Sequence, residues 1–312
     1  MLHDYLMYYD NKDFIRSKIQ ITRSIIQYFL ARQQKDGSIY KPEYHNFVDW
    51  TFKNGEPLFD ADGNSALVDL HVLMALQYAV DLEKSVGNEY FVKLYQKQIA
   101  LLSKTIRAKY WNEKRQLFSD LSANNDVFSQ HTNCMAILTG ITQGQEAKEI
   151  MRKVLLKQGM TGATLYWSFY VFEAMQKAGL GDLYLDNLQI WEDLVAFGVT
   201  TWPETGINSR SECHGWGASP NYHFFKITAG ISSIEAGFNN IRIAPNFGKL
   251  QDIEATIPHH NGFISLKAHK VGKAGIEAEI ELPNNTKGVM EWNGKCQKLK
   301  AGKQKLKLTI SE

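Results

Sequence analysis

The period of the hydrophobic pattern changes once, near residues 232–240, and this change restricts the fold more than any other feature of the sequence. Before it, apolar residues recur every three or four positions, which is typical of helices with one buried face. After it, short runs such as "IRIAPNF", "GFISLKAHK" and "KLKLTI" alternate apolar and polar residues between Gly, Pro and Asn. Such alternation predicts antiparallel strands. The 312 residues are therefore expected to form a helical domain over 1–234 and a small antiparallel β-sandwich over 235–312.

The helical part alternates short and long connections. Short turns with the sequences "KSVGN", "TQGQ" and "AGLGD" join neighbouring helices, whereas long loops lie at 36–64, 109–128 and 198–214. Helical hairpins linked by long loops predict an (α/α) toroid, in which the long loops collect at one end and line a cleft. An irregular helical domain is the alternative. Helices are predicted near residues 1–9, 13–34, 65–82, 89–111, 129–141, 145–158, 164–179 and 182–197, with one more inside 216–231.

The first residues already follow a helical pattern. Leu2, Tyr5, Leu6 and Tyr9 are spaced i, i+3, i+4, i+7, and no capping residue precedes them. This opening predicts a toroid that is incomplete at its N-terminal side. The sequence has no signal-peptide pattern and no apolar run of about 20 residues, the length of a membrane span. Because the opening looks truncated, a periplasmic or secreted location and a cytoplasmic one both stay open, as does the oligomeric state.

Composition narrows the classes of partner and site. A formal net charge of +2 does not favour nucleic acid or an anionic membrane as a partner. Cys134, Cys213 and Cys296 are odd in number and widely separated, so they predict neither a disulfide framework nor a metal site. His131 and Cys134, like Cys213 and His214, have no second pair at ligand spacing, and a structural role is favoured for both. No metal or cofactor is therefore expected.

Aromatic residues are abundant, with 7 Trp, 14 Tyr and 16 Phe. They indicate either a large core or a site that stacks on flat apolar ligand faces, such as those of sugars. The loop at 200–225 places Glu204 between Trp202 and Trp216. A carboxylate in an aromatic loop at the mouth of a helical toroid suits glycoside hydrolysis, which uses two carboxyls across the scissile bond. A solvated glutamate beside buried tryptophans is the alternative.

Two further segments carry candidate ligand-binding residues. Asp49 and Trp50 lie together in the long loop at 36–64, and the pair Tyr166 and Trp167 lies at the start of a predicted helix with the sequence "LYWSFYVFEAM". In the loop at 200–225, Trp202 can stack on a sugar ring, while Arg210 and His214 can hydrogen-bond to hydroxyl groups. We expect these segments and Glu204 to converge on one concavity at the loop-rich end of the toroid.

Taken in order, these motifs resemble the C-terminal half of the inverting α-L-rhamnosidases. The resemblance rests on "TTWPE" at 200–204, "SR" at 209–210, "HGWGASP" at 214–220, "GF" at 237–238 followed by Pro245, and "VDW" at 48–50. It implies a general base at Glu204, a structural role for Trp216, and sugar-pocket roles for Asp49, Trp50, Trp167 and His214. The implied function is hydrolysis of terminal α-L-rhamnose from glycosides or polysaccharides with inversion.

One part of the family pattern is missing. The family's general acid lies in an Asp-x-x-Arg-Asp/Glu-Glu-Arg-x-Gly-Trp type segment, and no such segment occurs in this sequence. We therefore expect the chain to hold the base without the acid, and to be inactive or nearly so alone. Another toroidal glycosidase, a polysaccharide lyase and a non-catalytic carbohydrate-binding fragment are the alternatives. Several loop acids could face the cleft and substitute for the missing acid, and Asp49 beside Trp50 is the nearest candidate; these acids are Glu43, Asp49, Asp60, Asp62 and Glu212.

Overall fold

The computed structural model describes residues 1–122, 126–272 and 274–309. Helices occupy most of the first 230 described residues, and strands occupy most of the rest. No helix in the described ranges is both long enough and apolar enough to span a bilayer. The helices are α1 (Leu2–Tyr9), α2 (Lys12–Leu30), α3 (Ala66–Val86), α4 (Glu89–Tyr110), α5 (Gln130–Leu138), α6 (Gly144–Leu156), α7 (Ser168–Lys177), α8 (Gln189–Phe197) and α9 (Ser219–His223).

The strands form a two-stranded hairpin and one larger sheet. The hairpin pairs β1 with β2, and the larger sheet has the order β3-β4-β7-β6-β5, with β8 paired to β7. Their bounds are β1 (Trp111–Asn112), β2 (Leu117–Phe118), β3 (Ile231–Ser233), β4 (Asn240–Ile243), β5 (Asp252–His259), β6 (Gly262–Val271), β7 (Gly275–Trp292) and β8 (Lys295–Leu308).

By their contacts, the residues group into two compact units. The first contains residues 1–11, 181–193 and 218–312, and the second contains 12–180 and 194–217. The first holds the large sheet together with α1, and the second holds α2 to α7 and every candidate site residue named above.

In the helical unit, α3 is the central element. Twelve of its residues are buried, and it packs against α2, α4 and α5. One link to α2 is an ion pair in which the Arg23 guanidinium donates to both carboxylate oxygens of Glu83, at 2.8 Å each. Side-chain caps start two of the helices: Asn88 accepts from Tyr90 N for α4, and Ser129 accepts from Thr132 N for α5. Capping of this kind satisfies amides that have no partner within the helix.

In the sheet unit, the strands form the expected β-sandwich around one apolar core. Buried and exposed residues alternate along β5 and β6, as period-two patterning requires. The long strand β7 has an irregularity between Leu282 and Lys287, and it pairs with β6 before this point and with β4 after it. The core is built by strand residues such as Ile241, Ile264 and Ile280. Helix α1 adds Tyr8, whose ring lies 5.3 Å from that of Phe238.

Three local features differ from the expectations. The loop at 109–128 contains the hairpin β1–β2. Its two strands have only four residues in total, which is too few for an alternating pattern to be recognised in the sequence. The helix expected at 182–197 is regular only over α8, and two 3₁₀ turns, at Gly181–Leu183 and Leu185–Asn187, precede it. In a sheet expected to be antiparallel, β4 and β7 pair in parallel, which is possible because β5 and β6 lie between them in the chain and return it to the same direction.

Candidate active site

The loop that carries Glu204 is folded back on itself by backbone hydrogen bonds. The amide of Glu204 donates to the carbonyl oxygen of Ser211 at 2.8 Å, and that of His214 donates to the carbonyl of Trp202 at 2.7 Å. The amide of Glu204 also lies 3.2 Å from the hydroxyl oxygen of Ser209. These bonds fix the backbone at the carboxylate, although the loop has no regular secondary structure.

Trp216 closes the loop from its far end. Its indole Nε1 donates to the carbonyl oxygen of Glu204 at 2.9 Å, and the His214 ring lies 4.2 Å from the Trp216 ring. The next residue, Gly217, must lack a side chain, because a Cβ atom there would lie 2.7 Å from the Cβ of Trp202. Trp216 thus donates a hydrogen bond to the loop, and Gly217 allows the chain to pass close to Trp202.

The Glu204 carboxylate is 5% exposed and is bound by one guanidinium. Arg210 donates from Nη2 to Oε1 at 2.7 Å and from Nε to Oε2 at 3.2 Å, while its own side chain is 77% exposed. A two-point, charge-assisted pair of this type holds a carboxylate in one orientation. Each oxygen keeps a second lone pair, so the pair does not use all the acceptor capacity of Glu204.

Asp49 is completely buried, and both of its oxygens accept hydrogen bonds from protein groups. Oδ2 accepts from His131 Nε2 at 2.6 Å and from the Thr164 amide at 3.0 Å, and Oδ1 accepts from the Thr164 hydroxyl at 2.5 Å. The carboxylate predicted to bind sugar therefore joins α5 to the segment before α7.

A row of aromatic rings connects the three loop segments. The Trp50 ring, 44% exposed, lies 4.9 Å from Phe47, and Phe47 lies 6.2 Å from Tyr166. Tyr166 in turn lies 4.9 Å from Trp216, which is bonded to Glu204 as described above. We call Trp50, Phe47, Tyr166 and Trp216 the aromatic row. Successive ring contacts therefore connect Trp50, which follows Asp49, with the loop that carries Glu204.

Two predicted sugar-binding tryptophans differ in their surroundings. Trp167 is buried, and its ring lies 4.3 Å from the His131 ring. Trp202 is half-buried and belongs to the Glu204 loop through its bond to His214. His214 is also half-buried, and its Nδ1 has no hydrogen-bond partner among the described residues. The structure therefore brings Glu204, Trp202 and His214 together, and it places Trp167 behind the aromatic row rather than in it.

Burial raises the pKa of two carboxyls in the same unit. The pKa of Asp69 rises to about 7, and that of Asp120 is also raised, in both cases mainly because burial disfavours the charged form. Asp69 accepts from the Ile39 amide and the Tyr110 hydroxyl, and Asp120 accepts from hydroxyls near the start of α5. Both are almost fully buried, so neither is positioned to protonate a leaving group. Among the described residues, no three His, Cys, Asp or Glu side chains cluster as metal ligands would.

Two family models together cover almost the whole chain. Residues 1–227 match the bacterial α-L-rhamnosidase six-hairpin glycosidase domain, and residues 230–307 match the bacterial α-L-rhamnosidase C-terminal domain. The chain belongs to the bacterial α-L-rhamnosidase family. The resemblance inferred from the Glu204 loop and from "VDW" is thereby confirmed at the level of the family, as is the order of a helical domain before a β-sandwich. No curated protein sequence matches the chain closely enough to count as a relative.

Solved rhamnosidase structures share this fold at low sequence identity. The GH78 family rhamnosidase of Bacillus sp. GL1 matches 93% of the chain with a TM-score of 0.80 and 22% identity. The α-L-rhamnosidase from Dictyoglumus thermophilum matches 98% with a TM-score of 0.78 and 15% identity. That of Streptomyces avermitilis, complexed with L-rhamnose, matches 98% with a TM-score of 0.74 and 13% identity. The chain covers 32%, 38% and 32% of these proteins, so it spans about a third of their length.

Sequence reasoning missed two residues of the site in this rhamnosidase-family chain. His131 was interpreted as a structural neighbour of Cys134, and Thr164 was not singled out. No local signal marks either, because they meet Asp49 from 82 and 115 residues away. Tyr166, the neighbour of Trp167 in the predicted first turn of the helix, lies in the aromatic row, and the Trp167 ring lies against His131.

Proposed function

We propose that this chain forms the part of an α-L-rhamnosidase active site that carries the general base, and that Glu204 is this base. The reaction is hydrolysis of a terminal α-L-rhamnose from a glycoside or polysaccharide, with inversion at the anomeric carbon. The observation that carries this assignment is the buried Glu204 carboxylate, held by its loop backbone beside the aromatic row, in a chain of the rhamnosidase family.

In this mechanism Glu204 accepts a proton from a water molecule as that water attacks the anomeric carbon. The free lone pairs on its oxygens allow it to bind the water while Arg210 still holds the carboxylate. An inverting enzyme separates its two carboxyls by about 6.5–9.5 Å, so that the water fits between the base and the sugar. The proton that Glu204 gains is later released to solvent.

The aromatic row supplies the sugar-binding surface. Exposed and half-buried rings such as Trp50 and Tyr166 offer flat apolar faces to the C–H groups of a pyranose. His214 and Arg210 lie beside Glu204 and supply hydrogen-bond donors for sugar hydroxyls. Trp202 is assigned to the same surface, while Asp49 and Trp167 are assigned to its support.

The general acid is assigned to protein outside this chain. Asp69 and Asp120 have the raised pKa that an acid needs, but both lie within the core. Asp49, the nearest substitute weighed from the sequence, makes its hydrogen bonds to His131 and Thr164. A second candidate function follows from the same observations: binding of rhamnose-containing glycans without catalysis, for which the aromatic row suffices.

The two functions are separated by one pair of variants. Wild type, Glu204→Gln and Glu212→Gln are titrated with L-rhamnose by tryptophan fluorescence and assayed with nitrophenyl α-L-rhamnoside. Glu212 is the matched control, because it is an exposed glutamate in the same loop. We expect Glu204→Gln to keep rhamnose binding and to lose the residual hydrolysis, by about 10²–10⁴-fold if that rate is measurable, with Glu212→Gln unchanged. Rhamnose binding without any hydrolysis by wild type would favour the binding function, and no binding would contradict both functions.

A further inference from the structure

The Asp49 carboxylate joins three segments that are distant in sequence. It lies in the loop that carries Trp50, and its partners are His131 in the first turn of α5 and Thr164 in the segment that carries Tyr166. All three side chains are buried or half-buried. A buried carboxylate is tolerated when hydrogen bonds compensate its charge, and this one receives three.

The His131 ring is held on both sides by aromatic residues. Phe52 lies 4.8 Å from it and Trp167 lies 4.3 Å from it, measured between ring centroids. Nδ1 is buried and has no hydrogen-bond partner among the described residues. The hydrogen bond of the ring to protein is therefore made at Nε2, which donates to the Asp49 carboxylate. Trp167 then acts by fixing the ring that orients Asp49.

The bonds of Asp49 set the distance between two parts of the aromatic row. Trp50 follows Asp49 directly, and Tyr166 lies two residues after Thr164. The contact between these parts is the 6.2 Å approach of Phe47 and Tyr166. The Asp49 charge also contributes, after burial, to the raised pKa of Tyr166, so the two groups are close enough to interact electrostatically.

We propose that His131 is a positioning residue of this site: through Asp49 and Thr164 it holds the Trp50 loop and the Tyr166 segment at the spacing that a sugar ring requires. His131 touches no substrate itself. Asp49 and Trp167, predicted from the sequence to line the sugar pocket, act in the same indirect way. The consequence for rhamnose binding rests on the function proposed above, whereas the consequence for the order of the two segments does not.

The test compares four variants of the full chain. His131→Phe keeps a ring and removes the donor; His131→Gln retains a donor near the position of Nε2. Thr164→Val removes only the hydroxyl. Tyr110→Phe is the control, because it removes another buried hydrogen bond to a carboxyl, that of Asp69, in the same unit. Hydrogen–deuterium exchange is measured over residues 45–52 and 161–168, together with the melting temperature and the dissociation constant for L-rhamnose.

We expect His131→Phe to increase exchange in both segments and to weaken rhamnose binding by about tenfold or more, the scale of a lost hydrogen bond to a charged group. Thr164→Val should act in the same direction, and His131→Gln should restore both readouts toward wild type. Tyr110→Phe should lower the melting temperature without changing exchange in the two segments or the dissociation constant for L-rhamnose. If both segments of the His131→Phe variant exchange at the wild-type rate, the proposal is overturned. If that variant does not fold, wild-type exchange rates in both segments of Thr164→Val overturn it. If wild type binds no rhamnose, the proposed function fails, while the exchange data still decide the role of His131.

Discussion

At the scale of single residues, Glu204 is a buried acid whose partner is exposed. The carboxylate is almost inaccessible, whereas the Arg210 side chain lies mostly in solvent. Burying a carboxylate is costly unless its charge is compensated, so Arg210 contributes to the stability of the loop as well as to its geometry.

Removing Arg210 should therefore affect both stability and ligand binding. We expect Arg210→Leu to lower the free energy of unfolding by about 1–2 kcal/mol, the lower part of the range for a hydrogen bond to a charged group, because solvent screens the pair. Arg210→Lys, which keeps the charge and loses the two-point geometry, should lie between it and wild type. Urea unfolding and rhamnose titration provide the measurement. Arg16→Leu is the control, since Arg16 pairs with Asp13 on an exposed helix surface, and a loss as large as that of Arg210→Leu there would contradict the prediction.

The neighbourhood of several candidate site residues could be predicted from the sequence, whereas their long-range contacts could not. Glu204, Trp202 and His214 share one loop, so their neighbourhood follows from spacing. Asp49 bonds to His131 and Thr164, and burial of a polar side chain against residues more than 80 positions away is a tertiary property. The motif "VDW" drew attention to this loop, but three residues alone do not predict that Asp49 is buried and Trp50 is exposed.

At the scale of elements, α2 has apolar residues on two faces. Ile15, Ile19 and Ile26 are buried, whereas Ile21 and Ile25 are more than half exposed. A helix with one apolar face needs one neighbour, so a second apolar face leaves an uncovered surface. A groove of about 370 Å³ lies beside this face, lined by residues of α2, α3 and the loop that carries Phe47.

Adjacent isoleucines of α2 provide a matched pair of substitutions. Ile26 is 3% exposed and Ile25 is 54% exposed. We expect Ile26→Ala to lower the free energy of unfolding by about 2–4 kcal/mol, as for other buried aliphatic truncations, and Ile25→Ala to change it by less than about 0.5 kcal/mol. Equal losses for the two alanine variants in urea unfolding would show that Ile25 is covered in solution.

The double variant Ile21→Lys/Ile25→Lys removes apolar surface from the exposed face of α2 and should improve solubility.

Helix α3 carries a titrating carboxyl in its first turn. Burial raises the pKa of Asp69 to about 7, above the value of about 3.9 for an unfolded aspartate. The folded chain therefore binds a proton that the unfolded chain has lost between these pH values, and stability from this group falls as the pH rises through that window. The uncharged Asp69→Asn variant should lack this dependence.

The measurement is the free energy of unfolding of wild type and Asp69→Asn at pH 4, 5.5 and 7.5. Relative to the variant, wild type should lose stability as the pH increases. Asp120, whose pKa is also raised, is present in both proteins and cancels in the difference. A difference that stays constant or grows in favour of wild type with rising pH would contradict the assignment.

The helices themselves were largely predictable, because helices such as α2 and α6 bury a stripe of regular period. The exceptions have physical reasons. α7 begins at Ser168 rather than near residue 164, because residues 165–167 form turns before the regular helix. The first half of the helix expected at 182–197 consists of two 3₁₀ turns, whose apolar residues still follow a nearly helical spacing. Strand partners were not predictable, because alternation fixes the face of a strand and not its neighbour.

At the scale of the whole molecule, contacts and sequence order divide the chain differently. The change of period placed a boundary at 234/235, and the family models meet near residue 230. The sheet unit nevertheless includes residues 1–11 and 181–193. Within that unit, the Gly237 amide donates to the Leu6 carbonyl at 3.0 Å, which ties α1 to the segment before β4. A boundary predicted from the hydrophobic period cannot show that segments from earlier in the sequence pack into the later unit.

The last prediction concerns the leaving group. An inverting glycosidase needs an acid for a poor leaving group, and acid catalysis is typically worth about 10²–10⁴-fold. If this chain supplies the base without the acid, it should hydrolyse an alkyl or natural rhamnoside at no measurable rate. A nitrophenyl rhamnoside, whose leaving group departs without protonation, should react slowly.

The measurement is the turnover of both substrates by wild type and by Glu204→Gln at equal protein concentration, with rhamnose release followed directly. Only the nitrophenyl rate should depend on Glu204. Efficient turnover of the alkyl rhamnoside by wild type would show that the chain contains a general acid, and an unchanged nitrophenyl rate in Glu204→Gln would remove Glu204 from the role of base.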